Sequence, residues 1–373
     1  MTRKFSLEYG QISGVVALYF FTYRRTGLSF TALFYIEQNY AFDILRPLQS
    51  EILAHGGSVH WLLVGDEVNM NFLLPGENKI SDVAAANALN PAAVFAPGDR
   101  VPSFISGLKV QVFHGLNEDK RGNQYPERGL FDLYCTEGPG RTAMLQPLAE
   151  QRGYFKVEET GWLKLDTLFN YKPEADTEHA LSKNRQTILF ASTFSTKLSS
   201  AEALHSEISR ISTSSKYHWI ITLHPKMAAD TVAKYRALEG SNLVFYDNNQ
   251  VMQALHQADV MVCDNSSILQ EFLLLKKPVV TFKNRAPQAC MLDIEHPALL
   301  ENAIEQALNT KPELQQAIED YGASITSFLD GQSAARVYRA AKDMIDSNWQ
   351  DTKPANRWRN WKMSRQLKNF SFF

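Results

Sequence analysis

Three cysteines in 373 residues are too few and too scattered for a disulfide framework, and none has zinc-site spacing. Two of Cys135, Cys263 and Cys290 lie in apolar, strand-like runs, so a reducing compartment is expected. An excess of one charge is also missing. The formal net charge is −2, which argues against a molecule built to hold nucleic acid by its overall field. Long apolar runs are absent too. Ile12 to Phe21 is apolar for only about ten residues, contains Ser13 and Gly14, and is followed by Arg24 and Arg25. A membrane span needs roughly 20 residues. The segment is read as a helix lying on the core, with a membrane surface as the alternative, and not as a signal peptide.

Several signatures are absent as well. There is no G-x-x-x-x-G-K-[ST], no G-x-G-x-x-G after a strand and no G-x-S-x-G elbow. Asp43, Asp66, Asp82 and Asp132 are each isolated, so no acidic cluster at a strand end would hold a metal.

What remains is an ordinary globular composition, 45% hydrophobic and 21% charged, on a chain long enough for two domains. Strand-like runs at Phe30–Glu37, Val59–Val64, Ala92–Ala96, Lys109–Phe113 and Phe131–Cys135 alternate with helical patterns at 40–55, Ser81–Leu89 (capped by Ser81) and 138–151. The pattern loosens between Trp162 and Arg185, and Asn170–Asn184 is the candidate linker. A second alternation follows, with strands at Thr187–Ala191, Trp219–Leu223, Leu243–Tyr246, Val260–Cys263 and Pro278–Phe282. This alternation indicates parallel sheets covered on both faces. The expected fold is α/β: two facing Rossmann-like, doubly wound domains, 1–172 and 183–332, with a cleft between them and a tail at 333–373.

Polar clusters stand where strands end, and parallel strand ends converge on one edge. They are His114-Gly115 with Lys120 and Arg121, Ser192-Thr193, His224-Pro225-Lys226, and Asp264-Asn265-Ser266-Ser267. The last precedes an amphipathic helix carrying Glu271. Its serines serve either as a plain helix cap or as part of a phosphate cradle. An imidazole titrates near neutral pH, so such a cleft holds a candidate base. Hydroxyls, a second imidazole and Lys226 are donors for a diphosphate. The chemistry that fits is transfer from an activated nucleotide to a hydroxyl.

After Asp351 the chain carries no acid, while Lys353, Arg357, Arg359, Lys362, Arg365 and Lys368 interleave with Trp349, Trp358, Trp361, Phe370, Phe372 and Phe373. The segment 348–373 is read either as a final helix packed on the first domain or as a contact with an anionic membrane surface.

Five places resemble one family, the CDP-glycerol glycerophosphotransferases of teichoic-acid-type polymer synthesis. They are His114-Gly115, Gly161–Asp166 (GWLKLD), Ile188–Thr193 (ILFAST), His224-Pro225, and Ala258–Val280. The resemblance covers roughly 105–310. It implies a GT-B fold, His114 as general base, and His224, Ser266 and Ser267 on the donor's phosphates. With His114 and His224 as the catalytic pair, the strand-end clusters themselves add Ser192, Thr193, Lys226, Asp264, Asn265 and Glu271 on the donor or phosphate side, and Gly115, Lys120 and Arg121 on the acceptor or phosphate side. The resemblance implies a nucleotide-activated polyol donor, a glycan or polymer acceptor, no cofactor, no metal and no nucleic acid. The place would be the cytoplasm or the inner membrane face. Asn265 stands where the family has Tyr, and the H-G-T-P-x-K pattern is not kept after Gly115. GT-B glycosyltransferases, nucleotide-sugar epimerases and a non-catalytic binding protein are the alternatives.

Overall fold

The computed structural model describes residues 30–115, 127–172, 185–347 and 349–367. The segment Ile12–Phe21, Lys120 and Arg121, most of the candidate linker, and the chain beyond Leu367 lie outside the described residues. Two parallel sheets organise the rest. In the first domain the order along the chain is β1 (Thr31–Ile36), α1 (Tyr40–Ala54), β2 (Ser58–Leu63), β3 (Asn78–Ile80), α2 (Val83–Ala88), β4 (Ala93–Ala96), β5 (Leu108–Gln111), β6 (Leu133–Thr136), α3 (Pro139–Arg152), β7 (Lys156–Glu159) and α4 (Leu163–Phe169). The strands lie side by side as β3-β2-β1-β4-β5-β6-β7.

The second domain contains β8 (Gln186–Ser192), α5 (Ala201–Ser212), β9 (Tyr217–Leu223), α6 (Ala229–Arg236), β10 (Leu243–Phe245), α7 (Val251–Gln257), β11 (Val260–Cys263), α8 (Ile268–Leu274), β12 (Val279–Phe282), β13 (Met291–Ile294), α9 (Leu300–Leu308) and α10 (Pro312–Ile325). Its sheet is ordered β10-β9-β8-β11-β12-β13. Each sheet therefore reverses its strand order once, between β1 and β4 and between β8 and β11. Ligands of doubly wound sheets collect at that point, beyond the carboxyl ends of the strands.

Burial explains the strand sequences. On β1, Ala32, Phe34 and Ile36 face a core shared with α1, while Leu33 and Tyr35 face the opposite layer. Both faces are covered, so β1, β4, β8 and β11 read as continuous apolar runs. Trp61 and Trp219 are fully buried, one in each domain. Burying a large side chain of this kind contributes about 2–3 kcal/mol.

Three strands and one helix escape the apolar pattern. β3 is only three residues long, β7 (KVEE) is a charged edge strand, and β13 is half exposed. The helix is α4, within the stretch where the pattern loosens. One cap is also reassigned: Asp82, not Ser81, caps α2, its carboxylate accepting from the Ala85 amide at 2.8 Å. Asp82 is the better placed because its Oδ1 reaches the third amide of the helix.

Two further helices, α11 (Ser333–Asp346) and α12 (Arg357–Gln366), follow the second domain and pack on the first. α11 buries Val337, Ala341 and Met344 in the core under α1 and α4. Its start is held by the GWLKLD stretch. Asp166 Oδ1 accepts from Ser333 N at 2.8 Å and Oδ2 from Ala334 N at 2.7 Å, the first two amides of α11. Burial pushes the Asp166 carboxyl up, against the pull of those amides. Gly161 has φ +82, and a Cβ there would stand 2.6 Å from Ser333 Oγ. Both ends of the motif thus clasp α11. Farther on, Lys353 pairs with Asp132, and Asn356 Nδ2 donates to the Arg128 and Gly129 carbonyls at 2.9 Å. α12 buries Met363 in the first domain's outer core.

Candidate active site in the interdomain cleft

The turn after β11 is built around one buried carboxylate. Asp264 is 0% exposed and points into the protein. Its Oδ2 accepts from Ser192 Oγ (2.6 Å), Ser200 N (2.9 Å) and Ser200 Oγ (3.1 Å). Thr193 N donates to both of its oxygens, at 3.1 and 3.2 Å. Asp264 thereby ties the turn after β8 to the turn after β11, across the switch point. Asn265 Oδ1 accepts from Arg285 N at 2.9 Å, which adds the turn after β12. Held in this way, Ser266 and Ser267 line the cleft. Ser267 occupies the N-cap position of α8 without a side-chain capping bond. α8 has only seven residues, so hydroxyls rather than a long helix dipole define this corner.

The two histidines are held as opposite tautomers. Nδ1 of His224 accepts from the Lys226 backbone N–H at 3.0 Å, so the proton of the neutral ring sits on Nε2. Burial and the Lys226 charge lower the His224 pKa, which favours that neutral donor form. Phe194 lies 4.5 Å from the His224 ring and Lys226 Nζ 5.7 Å from the Phe194 ring. Nδ1 of His114, in contrast, faces the Pro97 carbonyl at 3.1 Å, so Nδ1 is the donor and Nε2 carries the lone pair. Tyr40 stacks on the His114 ring at 5.2 Å.

The backbone around His114 is strained and braced. Phe113 has φ +53, a left-handed conformation that costs a non-glycine residue roughly 1 kcal/mol. Arg141 sits 4.0 Å over the Phe113 ring and donates to the Gly115 carbonyl at 3.3 Å. It holds both neighbours of His114. Arg141 is itself buried against Glu137, at 2.6 Å.

Two cavities meet between the domains. The larger, about 1230 Å³, includes Arg46, Lys164, Ser192, His224, Asn249, Ser266, Ser267 and Glu271 in its walls. The second, about 680 Å³, includes Tyr40, His114, Gly115, Arg141, Trp162, Asn265 and Tyr321. Asp43, Lys164, Ser266, Ser267 and Glu271 belong to both. Lys164 of the first domain bonds Glu271 of the second at 2.5 Å, on the boundary between the cavities. A ligand can therefore touch His224 at one end and His114 at the other while resting on the same two serines.

Of the residues singled out in the sequence, Ser192, His224, Ser266, Ser267, Glu271, His114, Gly115 and Asn265 line this cleft. Thr193, Lys226 and Asp264 do not line either cavity; they brace residues that do. Lys120 and Arg121 lie outside the described residues. Sequence reasoning missed Arg46, Lys164, Tyr40 and Arg141. The signal for Lys164 was a lone cation between the apolar positions Leu163 and Leu165, and Arg46 interrupts the apolar face of α1 in the same way. Among the described residues no three His, Cys, Asp or Glu side chains converge as a metal-ligand set.

Two parallel α/β domains with their switch points across a common cleft define the fold of GT-B enzymes. Within that class, the model of the CDP-Glycerol:Poly(glycerophosphate) glycerophosphotransferase family matches residues 148–288. The resemblance read from the residues is thus found again over the second-domain turns, while His114 lies outside the matched range. No curated protein sequence matches the chain. A Listeria monocytogenes protein provisionally described as a UDP-N-acetylglucosamine 2-epimerase superposes with a TM-score of 0.61 at 13% identity, covering 86% of this chain and 98% of that one. The wall teichoic acid polymerase TagF superposes with a TM-score of 0.58 at 15% identity, covering 87% and 91%. The S. aureus MnaA–UDP structure gives 0.55 at 13%, covering 87% and 98%. At these identities the likeness is one of fold.

Proposed function

We propose that the chain moves a glycerol-phosphate, or related polyol-phosphate, unit from a CDP-activated donor to a hydroxyl of a cell-surface glycan or polymer. The observation that carries this reading is the pair of oppositely held histidines around shared serines. Nε2 of His114 takes the proton of the acceptor hydroxyl. The new oxygen–phosphorus bond forms as the bond to the nucleotide phosphate breaks, and CMP leaves. The Nε2–H of His224 and the hydroxyls of Ser266 and Ser267 donate to the phosphate oxygens as charge shifts onto the leaving group. The family match over the second-domain turns supports the donor class. So does the fold shared with TagF, a variant of which has been soaked with CDPG.

The reaction as written calls for no cofactor; turnover that persists after EDTA treatment is the expected check. A second reading, sugar transfer or epimerisation on a nucleotide sugar, draws on the epimerases among the structural neighbours. The discriminating experiment incubates the protein with CDP-glycerol and with UDP-N-acetylglucosamine. Release of CMP supports phosphoryl transfer; UDP or an epimerised sugar from the second substrate would overturn it.

We place the reaction at the inner membrane face. Among the described residues no helix is long and apolar enough to cross a membrane. The support is the outer side of α12, where Trp358 is 64% exposed and stacks on Trp361 at 4.9 Å. Lys362 and Arg365 lie over those two rings. Such a surface suits anionic lipid, at about 1 kcal/mol per basic side chain. Replacing Lys362 and Arg365 by Glu should abolish flotation with phosphatidylserine vesicles at unchanged melting temperature. Equal flotation would remove the membrane from the proposal.

A further inference from the structure

Between β2 and β3 the first domain raises a lobe, residues 65–77, that turns large apolar side chains outward. Met70, Phe72 and Leu74 are 56, 47 and 52% exposed, three within five residues. No other stretch of that length among the described residues carries more than one such side chain. The lobe is held firmly. Phe72 stacks on Phe42 at 5.9 Å, and Arg46 donates through Nη2 to the Phe72 carbonyl. Asn69 N donates to Asn39 Oδ1 and Leu74 N to Glu77 Oε2, both at 2.8 Å. A surface fixed in this way loses little entropy when it is covered.

The place where α12 ends indicates what covers it. Gly65 opens the lobe with φ +87, and a Cβ there would stand 3.7 Å from Gln366 Nε2. Leu367, the next residue, packs against the first domain's outer core. Residues 368–373 (KNFSFF) therefore start at the foot of the lobe. Extended, six residues reach about 20 Å. Met70 is five residues from Gly65, and so at most about 17 Å from it. The charges match as well. Asp66 and Glu67 are exposed at the foot of the lobe, where Lys368 follows Leu367. Phe370 and Phe372 come two and four residues later, on the same side of an extended chain as Lys368. The same acidic rim argues against anionic lipid as the cover, since the two would repel.

We propose that residues 368–373 of the same chain dock on this lobe, with Lys368 against Asp66 and Glu67 and the phenylalanines on Met70 and Phe72. The covered lobe stands next to the cleft. Asp43 and Arg46 wall the larger cavity, and Arg46 is the side chain that holds Phe72. The docked segment is therefore one hydrogen bond away from the cavity wall. The inference does not depend on which donor the cleft takes.

Cross-linking in the full chain tests it. Cys135, Cys263 and Cys290 are free and buried, so a mild oxidant acts on an added pair. Met70→Cys with Phe370→Cys should close a disulfide within one chain, on the order of tenfold faster than the control pair Leu299→Cys with Phe370→Cys. Met70 and Leu299 are both exposed, so these variants are expected to fold, and melting temperatures verify this. Asp66→Lys should slow the link about two- to fivefold, and Lys368→Glu in the same chain should restore it. Hydrogen exchange gives a readout without added cysteines. Ending the chain after Leu367 should speed amide exchange across 66–77 on the order of tenfold. A link no faster than the control, or a link between two chains, overturns the proposal. So does exchange at 66–77 that ignores the truncation, or that is slowed only by phosphatidylserine vesicles.

Discussion

His114 and His224 each follow a strand of a parallel sheet and each stands against a short turn. Sequence makes them look alike. Their partners make them opposites: the Pro97 carbonyl takes the Nδ1 proton of His114, while the Lys226 amide fills the Nδ1 lone pair of His224. In the neutral rings the Nε2 of His114 bears the lone pair and the Nε2 of His224 bears the proton. The difference lies in two backbone groups. It teaches that a histidine's role in such a cleft is set by what touches its far nitrogen.

The sharpest way to break this comparison is to remove His114. His114→Ala should lower kcat by about 10²–10⁴-fold while the Kd for CDP-glycerol, measured by calorimetry, stays the same. Weakened binding of similar size would erase the distinction between the two ends. His224→Ala should act on the other side, lowering kcat/KM for the donor by about 10²-fold, as expected for one lost donor to a developing oxyanion. An unchanged kcat/KM for the donor would count against it.

Two of the buried carboxylates, Asp264 and Asp166, extend the contrast from chemistry to support. Asp264→Ala strands donors from Ser192, Thr193 and Ser200, and should cost about 3 kcal/mol, a drop of several degrees in melting temperature. Asp166→Ala removes a helix cap and should cost about 1–2 kcal/mol. Equal losses would show that the switch-point tie is no more than a cap.

The smallest effect is on pH. Burial, with Arg185 for His218 and Lys226 for His224, holds both rings below their ordinary 6.5. Unfolded chains therefore bind protons at pH values where the folded protein does not. Stability is full above about 6.5 and declines as pH falls through that value toward the folded pKa values. Thermal melts between pH 7.5 and 5 should show the decline, and His218→Leu should flatten it. Melts that rise on acidification would reverse the sign.

Much of this arrangement was legible because parallel strands are buried on both faces. VMVC and TILFAS announce β11 and β8 without ambiguity, and a polar turn after an apolar run marks a strand's carboxyl end. Of the sheet edges, β10 was legible as Leu243–Tyr246, but KVEE at β7 is half solvated and NKI at β3 is too short to carry a period. The site divided in the same way. Residues on strand-end turns could be named from spacing. Lys164, Arg46 and Tyr40 could not, because they enter the cleft from helices across a domain boundary, and no local period encodes that approach. Asp264 showed a third limit. Its place in the turn was readable, its inward orientation was not.

The return of α11 sets an order on synthesis. Val337, Ala341 and Met344 complete a face of the first sheet that begins at Ala32, some 300 residues earlier in the chain. As the chain emerges from the ribosome, residues 186–325 can close their own sheet while that face is still bare. The domain made first is therefore finished last, and its uncovered apolar face is the surface a chaperone would meet.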